Sequence, residues 1–276
     1  MEIWHRVTFN ATSKPIFLET IKGMKLNYKT LQLPGGGGLL VFLDIAETNS
    51  NWPAVSRLIS SLGAADLQET IFSEEEIRSA AWLRMICVFE QGYPQPRMTW
   101  PFNQPDRELL CPKCAIYRQI APMHIAKEPH LGRKAFMTTI LTHEILCIPA
   151  VLQELQEIQA TGYEDWDVIL HKTGQVSQRV RQLFIPTVAR PGALLGEEHP
   201  RTVCPQCGTI KYEAHMRGVL LIKSNALLPN TDFMLTHEWF GSGYFSWREI
   251  IVSNRIAQLV LDKGWQGIRF KVVEIV

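Results

Sequence analysis

Two Cys-x-x-Cys pairs, Cys111-Pro112-Lys113-Cys114 and Cys204-Pro205-Gln206-Cys207-Gly208, limit what this chain can fold into more than any other feature. Such a turn points two thiolates at one place, and proline and glycine help the backbone form the tight knuckle. Two knuckles supply the four soft ligands of a tetrahedral zinc, with Zn–S near ~2.3 Å, and zinc closed by four thiolates keeps no position for a reacting water. If the pairs meet, Cys111, Cys114, Cys204 and Cys207 are metal ligands, and the chain between them encloses a whole strand–helix–strand unit. A compact zinc ribbon has only roughly 15–20 residues between its pairs. Loop-closure cost grows logarithmically, so the wider spacing is not prohibitive. The same letters also fit two separate sites completed by His124, His199 or His215. A redox pair fits them too, but it would ordinarily follow a strand and open a helix, which neither pair clearly does. Cys87 and Cys147 lie in apolar stretches and read as core residues.

Six cysteines in 276 residues are sparse for a secreted disulfide scaffold, and four of them fall in these two pairs. The start, Met1 to Arg6, lacks the basic-then-apolar order of a secretory signal. No apolar run reaches the ~18–20 residues that span a bilayer. The chain is therefore expected to be cytoplasmic, with reduced thiols and no membrane partner. Its 28 Lys+Arg against 27 Asp+Glu give a net charge of +1, which removes the electrostatic footprint of a generic DNA coater. With 46% hydrophobic residues it can bury a full-sized core.

The patterning predicts a mixed α+β fold of repeated strand–helix–strand units held by the knuckles. Residues 1–34 read as short strands and turns, followed by a strand at 39–45 and a helix from Pro53 that Gly63 stops. Ser73 and Glu76 form a capping-box pattern, and the helix it starts is expected to bury Ile77, Ala81, Leu83–Met85 and Val88. Residues 92–110 read as an extended crossing segment. A strand at 137–148, a helix at 149–160 and a strand at 166–170 follow. A strand at 247–252, a helix from Ser253 or Asn254 and a strand at 267–275 end the chain. Glu144-Ile145-Leu146-Cys147 with its helix and Glu249-Ile250-Ile251-Val252 with its helix resemble copies, which suggests a duplication. The expected organisation is an N-terminal α/β segment over 1–100, packed on a cysteine-bearing α/β region over 101–276, with one continuous domain left open as the alternative.

Other motifs fail on spacing. His143-Glu144 and His237-Glu238 lack the second histidine of His-Glu-x-x-His. Gly35–Gly38 precedes its strand rather than following it, so it reads as a turn and not a phosphate loop. No Gly-x-Ser-x-Gly elbow is present, and Asp44, Asp165, Asp167 and Asp232 are scattered. No catalytic constellation is named, and the chain reads as a non-enzyme. Arg201, Lys211, Arg217 and Lys223 flank the second knuckle and keep a nucleic-acid-binding zinc module open as the alternative, although Val219–Ile222 between them looks like a buried strand.

Two widely spaced Cys-Pro-x-Cys knuckles, the second followed by Gly208, resemble the double-CxxCG-motif proteins of predatory and social bacteria. The tail is similar as well, through Asp232-Phe233, Phe245-Ser246-Trp247, Ile251-Val252-Ser253 and Gly264…Gly267-Ile268-Arg269-Phe270. The resemblance covers about residues 100–276 and implies that the four paired cysteines bind the metal. It departs at Ala115, where the first knuckle would carry glycine, so that turn is expected to form differently. Some members are immunity proteins, which implies a cognate toxin as partner and no active site. Trp239-Phe240-Gly241-Ser242-Gly243-Tyr244 is the candidate loop for aromatic interface anchors.

Overall fold

The computed structural model describes residues 1–97, 104–140 and 143–276. The fold is mixed α+β, and the chain divides into two compact units: Met1–Ser73 with Met216–Gly218, and Glu74–His215 with Val219–Val276. The division expected at residue 100 moves to Ser73/Glu74, because residues 82–87 form a strand in the middle of the second unit's largest sheet. No helix among the described residues is long and apolar enough to cross a membrane.

The first unit runs β1 (Glu2–Asn10), α1 (Pro15–Gly23), β2 (Lys29–Gln32), β3 (Leu39–Ala46), α2 (Trp52–Leu62) and β4 (Ala65–Ile71). Its sheet is antiparallel in the order β2-β3-β1-β4. Val7 and Phe9 alternate inward on β1, as do Val41, Leu43 and Ile45 on β3, and Phe17, Ile21 and Val55 of the helices close that face. Proline opens both helices, where its missing N–H is no loss, and Gly63 ends α2 in the left-handed conformation. The helix α1 replaces part of the strand-and-turn reading of residues 1–34. Gly35–Gly38 is a turn between β2 and β3, as its position implied.

The second unit begins with α3 (Glu74–Ser79), much shorter than expected, because Trp82–Cys87 is the strand β5. Consecutive buried residues Leu83, Arg84 and Met85 mark a strand covered on both faces, a pattern that a short apolar run shares with a buried helix. There follow β6 (Arg107–Leu109), β7 (Tyr117–Gln119), β8 (Met123–Ile125), β9 (Phe136–Met137), β10 (Ile145–Cys147), α4 (Pro149–Glu157), β11 (Glu164–Trp166) and β12 (Val168–Leu170). The strand expected at 137–148 is thus two strands, with 141–142 outside the described residues; 98–103 of the crossing segment lie outside them too. Next come β13 (Arg181–Phe184), β14 (Ala193–Leu194), β15 (Arg201–Val203), β16 (Ile210–Tyr212), β17 (Leu220–Ile222), β18 (Phe233–Leu235), β19 (Trp239–Phe240), β20 (Ile250–Ser253), α5 (Asn254–Asp262) and β21 (Ile268–Ile275).

These elements are two copies of one plan, and the duplication extends well beyond the strand–helix–strand unit. One sheet has the order β14-β17-β21-β5-β20-β18. The other elements repeat that order as β8-β12 followed by β11-β13-β10-β9, with Pro94 bridged to Ile125 where Ala193 pairs with Ile222. Parallel bridges Glu90↔Thr138 and Val188↔Leu235 are also equivalent. The copies exchange their first strands. β5 of the first lies antiparallel between β20 and β21 of the second, while β13 of the second lies antiparallel between β10 and β11 of the first.

Equivalent residues carry the exchange. Phe136-Met137 and Phe233-Met234 are fully buried in β9 and β18. The backbone of Phe136 approaches Gly267, and that of Phe233 approaches Gly162, so closely that an added Cβ would lie 2.1 Å from the carbonyl oxygen in each case. Trp265 meets the Phe136 ring edge-on and Tyr163 meets the Phe233 ring in the same way. Helices α4 and α5 cover one shared core through Val151, Leu152 and Leu155 and through Ile256, Ala257 and Val260.

Candidate metal centre

Each knuckle grows from a short antiparallel hairpin, β6–β7 for the first and β15–β16 for the second. The Ala115 N–H donates to Cys111 O at 2.9 Å, and the Gly208 N–H donates to Cys204 O at 2.9 Å. Ala115 has φ 55° and Gly208 φ 74°, so both turns use the left-handed conformation. The expectation that Ala115 forms its turn differently is therefore corrected. An alanine accepts the glycine conformation, at a backbone cost of about 1–2 kcal/mol, offset by burial of its methyl group.

The duplication brings the two turns together. Cys111 Sγ lies 3.8 Å from Cys204 Sγ, Cys114 Sγ lies 3.6 Å from Cys207 Sγ, and all four sulfurs are within 4.8 Å of one another. Four sulfurs on a tetrahedron at ~2.3 Å from zinc would be about 3.8 Å apart, so the donor set fits a tetrahedral thiolate metal. A disulfide would require ~2.05 Å, and all the cysteines are free. Cys111, Cys114 and Cys204 are buried, while Cys207 is exposed. Burial pushes the Cys114 thiol up to about 12, whereas the Thr209 hydroxyl beside Cys207 Sγ holds that thiol down to about 6.

Lys211 completes the centre and was not anticipated in this role. It sits on the inward position of β16, 3% exposed, and the three protons of its ammonium are shared among four acceptors within 3.3 Å, Cys114 O, Gly243 O, Phe245 O and Ser246 Oγ. Burial lowers its pKa, and the surrounding cysteines oppose that shift. Ser246 Oγ donates to the same Cys114 carbonyl at 2.9 Å. The loop 241–246 is thereby fastened to the first knuckle. The period-2 alternation of the strand was the available signal, since an inward lysine needs carbonyls or anions to meet it.

The remaining sequence candidates fall elsewhere. His124 Nδ1 faces His171 Nδ1 at 3.3 Å, and His199 stacks on His215; none joins the sulfur cluster. Burial lowers the pKa of His215 to about 4. Cys87 and Cys147 are core residues, with thiols pushed up by burial. Of the basic flank, Lys211 turns inward, Arg217 pairs with Glu47, and Arg201 and Lys223 are exposed.

Glu144 and Glu249, at equivalent positions, form buried ion pairs with Arg107 and Arg84. His237 is exposed, and Glu238 accepts the Gly192 and Ala193 N–H groups. Thr142 lies outside the described residues. Asp44 pairs with Arg6, Asp165 and Asp167 with Arg181, and Asp232 with Arg255. In the candidate aromatic loop Phe240 is fully buried, Trp239 packs on the cysteines, and Tyr244 and the following Phe245 are exposed.

The fold and site together define a mixed α+β protein with an internal duplication and a four-cysteine cluster, suited to a metal ion, to which each copy gives one knuckle. Neither a family model nor a curated protein matches the chain.

Proposed function

We propose that the cluster holds a structural zinc and that the chain is a non-enzymatic cytoplasmic protein that binds and neutralises a cognate toxin. Four thiolates close the coordination sphere, so zinc here would cross-link the copies and supply no reacting water. The observation that supports the binding role is the set of exposed apolar side chains on the segments that flank the clasp. Leu110 precedes the first knuckle, Val203 and Ile210 flank the second, and Tyr244 and Phe245 tip the loop that Lys211 fastens. Large apolar groups held on a rigid frame, with little conformational entropy left to lose, are what a protein-binding surface requires. The resemblance to the double-CxxCG proteins makes that partner a toxin domain.

The test is co-expression with the product of the adjacent gene, followed by metal analysis of the purified complex. One zinc per chain and a complex that Tyr244→Ala/Phe245→Ala weakens at least tenfold are expected. No protection against any toxin encoded beside it would remove the toxin reading. Salt-sensitive retention on DNA at low ionic strength would favour the nucleic-acid module instead.

A further inference from the structure

A cavity of about 310 Å³ opens beside the clasp. Tyr117 and His143 of the first copy line it, together with Phe184 from the exchanged strand β13 and Trp239, Trp247 and Arg248 of the second copy. The last three lie on or beside the bridged segment Phe240–Trp247, part of the loop that Lys211 and Ser246 tie to Cys114.

Arg248 is the unusual member. Its guanidinium carbon sits 4.6 Å from the Trp239 ring centroid, and its Nε is buried with no hydrogen-bond partner among the described residues. No carboxylate pairs with it there either. Glu238, the carboxylate whose field reaches it, is engaged by two backbone N–H groups. The other charges at the cavity are satisfied: Glu144 by Arg107, and Arg118 by Glu108. A partly buried cation without an anion is costly, so the site is incomplete as it stands.

The part of the wall around Tyr117 offers no unpaired charge, since Glu144 is held by Arg107. Tyr117 Oη lies 2.6 Å from both Glu144 Oε1 and His143 Nε2. The tyrosine has one proton, and the carboxylate can only accept, so the tyrosine donates to Glu144 and His143 Nε2–H donates to the tyrosine oxygen. The imidazole is left uncharged, with its Nδ1 lone pair free of that network. Burial lowers its pKa to about 3, which keeps it uncharged at neutral pH.

We propose that this cavity binds a small organic carboxylate with a flat apolar body. Arg248 takes the carboxylate through its planar fork, and Trp239, Trp247 and Phe184 cover the body. Arg248 is the one lining cation without a carboxylate among the described residues, Arg118 being held by Glu108, and a single unpaired guanidinium matches a monoanion but leaves a phosphate dianion half neutralised. This inference stands apart from the toxin reading, because it needs no protein partner.

The test uses the metal-loaded full chain and four naphthalene probes in isothermal titration: 2-naphthoate, 2-naphthalenemethanol, 2-naphthylmethylammonium and 2-naphthyl phosphate. Naphthoate should bind one per chain and at least tenfold more tightly than the other three. Arg248→Gln should weaken naphthoate about tenfold or more, the usual worth of a charged hydrogen bond, and leave the alcohol unchanged. Equal binding of all four probes, or naphthoate binding indifferent to Arg248→Gln, overturns the proposal; tighter binding of the phosphate overturns the carboxylate assignment. The probe series on the wild-type chain needs no variant to fold, and thermal unfolding with metal content checks the variant.

Discussion

The two copies make the same knuckle in different surroundings. The first has both cysteines buried and an alanine in the left-handed position; the second has Cys207 exposed and a glycine there. Between Thr236 and Glu249 the second copy also carries an insertion that Thr139 to Glu144 does not, and it holds β19, Trp247 and Arg248. The shared parts build the frame: sheet order, the Phe-Met pairs and the glycines under them. The differing parts supply the exposed Tyr244 and Phe245 and the cavity wall. In a duplicated fold, conserved geometry between copies marks what stability needs, and departures from it mark what has been free to acquire another role.

The largest expected effect tests the surroundings of the knuckles. Cys111→Ser and Cys207→Ser each remove one ligand from a site of a kind that contributes on the order of 10–16 kcal/mol in small peptides. Both should lose stoichiometric metal. Cys111→Ser should lose much more thermal stability, because its hydroxyl is left in the core, whereas Cys207→Ser should stay folded with the second hairpin loosened. Equal unfolding of the two variants in thermal melts would break the comparison.

A smaller effect tests the symmetry. Gly162→Ala and Gly267→Ala each place a Cβ 2.1 Å from a backbone oxygen, at φ 87° and 109°. Each should destabilise by about 4 kcal/mol, the range of severe backbone and packing conflicts. Denaturation midpoints that differ widely between the two would show that the copies are not held alike. The smallest effect returns to the turns. Gly208→Ala should cost about 1 kcal/mol, since its left-handed backbone disfavours a Cβ. Ala115→Gly should change stability by less than about 0.5 kcal/mol, because relief of strain is balanced by loss of a buried methyl and by chain entropy. Urea titrations that reverse this order would refute the account of the turns.

Much of this was legible in the letters and some was not. Cysteine spacing pointed to a shared site, because few chemical arrangements need two such pairs. The helices α2 and α4 were legible from proline starts and α5 from its Ser253-Asn254 start, all three with a glycine beyond the end and apolar spacing. β5 was not, since a strand buried on both faces has lost its alternation. The Phe-Met repeats at 136 and 233 were present in the sequence, but their equivalence shows only once the strands are paired. Arg248 and His143 come together through strand exchange, and no local pattern encodes that. The inward turn of Lys211 depends on carbonyls from a distant loop, which the sequence does not place.

The crossing of β5 and β13 governs the order in which this chain can mature. As the first copy leaves the ribosome it has an empty slot between β10 and β11, and its own β5 has no flanking strands to join. The slot fills when β13 emerges, but β5 is enclosed only after β20 and β21 of the second copy have been made. Neither half can therefore be finished before the other begins, and the two sheets reach their final pairing together.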